Sequence, residues 1–173
     1  MTRYVALLRG ANVNGITLRM ADLAEVFTGL GLDNVKTVLA SGNVLFDADD
    51  GGPELKGSIE KALRTRFGYE AWVQVLTTER VARIVADYPF ETDESVHHPY
   101  VVFCVDEATR DELAGAAAKA ASAVERVAAG EGVLYWEAPR GGSTDTPFAK
   151  LSARTRYKAP TTTRNVRTLK RFN

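Results

Sequence analysis

The order in which two hydrophobic periodicities alternate along this chain is its strongest constraint on fold. Tyr4–Leu8 is an apolar run of strand length, ended by a loop at Gly10–Gly15. Leu23, Val26, Phe27 and Leu30 then recur at i, i+3, i+4 and i+7, the stripe of an amphipathic helix, and Gly31 stands where a left-handed C-cap belongs. Val35–Ala40 and Val44–Phe46 read as strands around Gly42-Asn43, a pair suited to a tight hairpin turn. Pro53 opens a second helix with Leu55, Ile59, Leu63 and Phe67 on one face, Gly68 ends it, and Ala71–Leu76 is a further strand. The order is βαββαβ, that of a ferredoxin-like split unit.

The second half repeats this order with weaker signals. Thr77 or Thr78 caps a linking helix carrying Val81, Ile84, Val85 and Tyr88 at helical spacing, which Pro89 stops. Glu91–Ser95 reads as an acidic surface loop, and His97-His98 as a surface turn; Pro99 precedes a strand that runs through Val105. Asp106 and Glu107 start an alanine-rich helix. Val124–Ala128 and Val133–Trp136 form a hairpin around Gly130-Glu131-Gly132, and Pro147 lies near the start of a short helix. From Thr161 the pattern allows a strand or a helix. The fold class expected is therefore α+β, with two ferredoxin-like (α/β-plait) subdomains spanning 1–77 and 78–173.

Composition narrows the function classes. With 45% apolar and 25% charged residues the 173-residue chain matches ordinary globular usage. A single cysteine, Cys104, excludes an internal disulfide, and with only two histidines no structural zinc site is expected. No metal or cofactor is expected, no apolar run reaches the roughly 18 residues of a membrane span, and the start Met1-Thr2-Arg3 lacks the pattern of a signal peptide. The expected location is the cytoplasm. The formal net charge of zero hides an asymmetry: Lys150–Asn173 holds eight basic and no acidic residues, leaving 14 basic against 22 acidic elsewhere. Such a segment attracts phosphate, nucleic acid or the protein's own acidic surface.

Arg9-Gly10-Ala11-Asn12-Val13-Asn14-Gly15 is the stretch richest in possible chemistry. Two glycines and two asparagines tolerate positive φ at a strand end, so successive N–H groups can turn toward one oxyanion, with Arg9 as a planar fork. The Gly10–Gly15 spacing matches part of a P-loop, yet Ile16-Thr17 stand where Lys and Ser/Thr are required, which excludes that mode of nucleotide hydrolysis. Ser41-Gly42-Asn43 sits at the hairpin tip; no nearby histidine supports Ser41 as a nucleophile, and its expected role is as a hydrogen-bonding wall. Thr161-Thr162-Thr163-Arg164-Asn165 gathers hydroxyls, a guanidinium and an amide that bind an oxyanion or cap a helix. Arg140-Gly141-Gly142-Ser143 is another flexible, anion-friendly loop. His97 and His98, at i and i+1 on extended chain, point to opposite sides and do not chelate one metal. Tyr135, Trp136 and Tyr157 lie near basic residues and offer bases a stacking surface, although strand aromatics more often fill a core.

Three of these motifs, Leu7–Gly15, Ser41-Gly42-Asn43-Val44 and Thr162-Thr163-Arg164-Asn165, together resemble the bacterial family catalogued as domain of unknown function 1697. The resemblance spans almost the whole chain and implies two ferredoxin-like α/β-plait halves. It implies no activity and no catalytic residue. The family's opening reads Arg-Gly-Ile-Asn-Val-Gly-Gly; here Ala11 and Asn14 replace the Ile and one Gly, and Val166 stands where the family has Trp.

The expected site is accordingly a pocket for a small anionic ligand. Arg9 and Arg164 act as charge clamps, Asn12 and Asn165 as orienting amides, Gly10, Asn14 and Gly15 as backbone donors, and Ser41 and Asn43 as walls. No residue stands out as a general base, so binding is favoured over catalysis, and whether the chain is an enzyme stays open. The alternatives are a nucleic-acid-binding module using the basic segment, disfavoured because the strands lack the aromatic motif of an RNA-recognition sheet, and an assembly module docking on an acidic partner. Oligomeric state is not legible.

Overall fold

The computed structural model describes residues 1–9, 18–38, 42–49, 53–68, 70–142 and 144–172. Two units divide the chain, Met1–Val81 with Arg171–Asn173, and Ala82–Lys170. The division falls inside the linking helix.

In the first unit the elements run β1 (Thr2–Arg9), α1 (Met20–Gly29), β2 (Asp33–Val38), β3 (Asn43–Ala48), α2 (Pro53–Phe67) and β4 (Trp72–Thr77). Its four strands are antiparallel in the order β2-β3-β1-β4. Each helix therefore links two strands separated by a third, as in a ferredoxin-like sheet. The helix stripes read from sequence face this sheet: Leu23, Phe27, Ile59 and Leu63 pack on Ala6, Leu8, Val44, Phe46 and Val73. Gly31 adopts φ of 81° and Gly68 φ of 69°, left-handed positions that close α1 and α2.

From here α3 (Thr78–Ala86) leads onward, with the Thr77 hydroxyl accepting from the Arg80 N–H at 3.1 Å. The second unit contains β5 (His97–Cys104), α4 (Glu107–Lys119), β6 (Arg126–Gly130), β7 (Val133–Pro139), α5 (Pro147–Ser152), β8 (Thr161–Asn165) and α6 (Val166–Leu169). Its sheet has the order β6-β7-β5-β8, the same as the first once strands are counted from β5. Asp106 caps α4 by accepting from the Thr109 N–H at 2.8 Å, and Thr146 caps α5 through Ala149. Leu113, Leu134, Trp136, Phe148, Leu151 and Tyr157 form its core.

Two expectations shift. His97 and His98 do not form a turn; they are the first residues of β5, opposite Pro139 and Ala138. Pro99 lies within the strand because β8 pairs only as far as Tyr100, so no ladder bond on that side requires its missing N–H. The segment after Thr161 is both strand and helix, β8 passing into α6 at Asn165.

Candidate functional site

Strand alternation decides which way Arg9 faces. Tyr4, Ala6 and Leu8 contribute to the helix-covered core, so Val5, Leu7 and Arg9 lie on the other face of the first sheet. Arg9 is the last residue of β1, half-buried, and opposite Trp72 at the start of β4. One step inward, Leu7 is flanked by Asn43 on β3 and Gln74 on β4. Directly opposed residues share a face, so Arg9, Trp72, Asn43, Gln74 and Val38 line one end of this sheet surface.

Burial lowers the pKa of the Arg9 guanidinium from its ordinary value, with no carboxylate acting against the shift. A guanidinium nevertheless stays protonated in proteins. Among the described residues its side chain has no hydrogen bond or ion pair. It is thus a partly desolvated cation with no anion beside it among the described residues, a state that favours the approach of an anion.

Two further cations lie in the same unit. Lys36, Thr37, Val38 and Arg171 line an open hollow of about 380 Å³ beside the end of β2. Lys36 is opposite Leu45, which is opposite Val5, so Lys36 shares the face of Arg9 two strands away. Sequence reasoning did not single out Lys36 or Trp72. Only the strand order and register place Trp72 opposite Arg9 and Lys36 on the same face of the sheet, and one-dimensional spacing carries neither.

The other residues expected in the site divide into three groups. Gly10, Asn12, Asn14, Gly15 and Ser41 lie outside the described residues, as do Ala11 and Ser143. Asn43 is not a turn residue but the first residue of β3. It is fully buried, and its amide donates to the Val38 carbonyl at 3.0 Å, closing the hairpin whose Gly42 takes φ of 84°. The Gly42 carbonyl accepts from the Leu8 N–H at 2.9 Å. Arg164 and Asn165 belong to the second unit. Arg164, only 8% exposed, donates to the Thr162 hydroxyl at 2.6 Å and the Thr163 carbonyl at 3.0 Å. Asn165 caps α6, accepting from the Arg167 N–H at 2.8 Å.

The basic C-terminal segment is built into the fold. Arg156 pairs with Glu112, and Arg167 with Glu94 at 2.7 Å. Arg140 donates to the Glu94 carbonyl at 2.6 Å, which ties the acidic loop down. Tyr135, Trp136 and Tyr157 are all buried, with hydrogen bonds to the Ile84 carbonyl, Glu125 and Glu112, and are not a stacking surface. Cys104 is buried, and its surroundings push the thiol up to about 12. Among the described residues no group of three or more His, Cys, Asp or Glu side chains is placed to hold a metal ion. None of the described helices is long and apolar enough to cross a membrane.

The chain is similar in structure to a conserved bacterial protein from Streptococcus pneumoniae, with a TM-score of 0.83 and 23% identity over 99% of this chain and 96% of that one. That likeness concerns the fold alone. A comparison with an unknown protein from Galdieria sulphuraria gives a TM-score of 0.27 at 11% identity, over 95% of this chain and 96% of the other, and carries no argument. No curated protein matches the chain in sequence. The family model described as Protein of unknown function (DUF1697) matches residues 1–135, and the chain belongs to that family.

Proposed function

We propose that the protein binds a small phosphate- or carboxylate-bearing ligand where β1 ends, with Arg9 as the charge clamp and the Gly10–Gly15 stretch as the source of backbone donors. The observation that carries this reading is the half-buried Arg9 guanidinium with no anionic partner among the described residues. A second line of support is length. Ten residues separate β1 from α1, whereas the equivalent connection from β5 to α4 takes only Val105 and Asp106. Strand-to-helix connections of two to six residues suffice for such units, so the longer one exceeds what the topology needs. Lys36 and Arg171 supply further positive potential on the same unit.

The reading is of a binding protein; no described side chain beside Arg9 has the geometry of a general base. It sets the protein in a bacterial cytoplasm, in keeping with its single buried cysteine. A thermal-shift screen of inorganic phosphate, phosphorylated metabolites and small carboxylates tests the proposal. A ligand at about 100 times its Kd adds about 2.7 kcal/mol, or about 5–11 °C in Tm for a chain of this size. That shift should vanish in Arg9→Ala. Binding of single-stranded RNA with steep loss on adding salt, and no response to small anions, would favour the nucleic-acid alternative.

A further inference from the structure

The second unit holds a cavity that its topology does not require. Alanines of α4, Ala114, Ala117 and Ala118 among them, face Val127, Leu134 and Phe148 across a space of about 150 Å³. One ionisable residue lines it, Glu125, which is 8% exposed. The two carboxylate oxygens are held by neutral donors, Oε1 by the Trp136 indole N–H at 2.8 Å and Oε2 by the Phe148 backbone N–H at 3.0 Å. No cation pairs with it among the described residues. The adjacent Arg126 is committed to Glu137, meeting both of that carboxylate's oxygens at 2.8 Å.

A carboxylate accepts at about four lone-pair positions, so two N–H groups leave capacity on each oxygen. Burial without a counter-cation is costly for such a group unless something positive completes it. The remaining side chains on the wall are hydrocarbon apart from Ser122, and backbone polar groups share the lining with them. A cavity of this volume admits a ring of about six carbons. We infer that this cavity is a binding site for a small primary amine or amidine with a short apolar body, its cationic head on Glu125 and its hydrocarbon against the alanines of α4. The site is independent of Arg9, lies in the other unit, and takes a ligand of opposite charge.

Benzylamine and benzyl alcohol, matched in shape and differing in charge, test it on the full-length chain by titration calorimetry with amide chemical-shift mapping. The expected result is benzylamine binding with shifts centred on α4 and β6, and benzyl alcohol weaker by about tenfold or more. Glu125→Gln should abolish that preference. Ala121→Leu, at an exposed position on the cavity wall, should weaken both ligands while the fold persists. If Glu125→Gln fails to fold, the amine-to-alcohol ratio in the native chain and the Ala121→Leu result still decide the matter. Equal affinity for the two ligands, an unchanged preference in Glu125→Gln, or no binding at millimolar concentration would each overturn the assignment.

Discussion

The two units share a strand order and differ in what they do with it. In the first, α2 is 15 residues long and sends the fully buried Ile59 and Leu63 onto the sheet beside Phe27 and Phe46. The second unit's equivalent, α5, has six residues, and α4 faces its sheet largely with alanines, leaving a cavity. The connections differ in the opposite sense, long after β1 and minimal after β5. One topology thus carries two separable variables: the bulk of the helix faces sets how full each core is, and the length of the first strand-to-helix connection varies independently of it.

Core filling gives the largest expected effect. Leu63→Ala should destabilise by about 2–5 kcal/mol in urea unfolding, because a packed core relaxes only partly around lost volume. Ala117→Val, adding methyl groups toward existing space, should stay within about 1 kcal/mol of the native chain. Equal costs for the two would show that the second core is as full as the first.

A smaller effect, within the second unit, is electrostatic. Glu137 is held below the ordinary carboxylate range, first by the Arg126 fork and also by Thr92. The folded state takes up this proton less readily than the unfolded chain. The stability it contributes is therefore present above the unfolded pKa, about 4.3, and is lost as pH falls through the lower folded value. Urea midpoints measured from neutral to acidic pH should fall less steeply in Glu137→Gln than in the native chain. Identical slopes would mean that the fork adds nothing.

The smallest effect on stability belongs to Cys104, whose thiol is pushed up to about 12 by burial. Iodoacetamide at about pH 8 should leave it unmodified in the native state and alkylate it rapidly in concentrated urea. Fast native-state alkylation would show that the second core opens readily.

Much of this architecture was legible from periodicity. In the α1 stripe Leu23 and Phe27 are buried and Val26 is partly buried, whereas Leu30, read as its last member, is exposed because the helix has already ended at Gly29. Ile59 and Leu63 of α2 are fully buried, and the glycines at 31 and 68 take the left-handed conformations that end their helices. Where the readings slipped, the missing information was pairing. Asn43 carries a turn-forming side chain, yet it is already paired with Val38 and Leu7, and no local pattern separates a turn residue from the first residue of a buried strand. Pro99 argued for a later strand start, and only the length of β8 explains its tolerance. Glu125 gave no signal at all, since its donors come from residues 11 and 23 positions away. Arg9 was legible because it ends an apolar run beside a glycine- and asparagine-rich stretch. Its neighbour Trp72 was not, because adjacency there is a property of register.

The claim that the long connection serves a ligand rather than the fold is tested most directly by Arg9→Gln, followed by urea unfolding with and without inorganic phosphate. The account predicts an unfolding free energy within about 0.5 kcal/mol of the native chain, since Arg9 has no hydrogen-bond or ion-pair partner among the described residues, together with loss of the stabilisation that phosphate confers on the native protein. A variant destabilised by about 2 kcal/mol or more, with phosphate inert toward both chains, would contradict it and make Arg9 a residue of the fold.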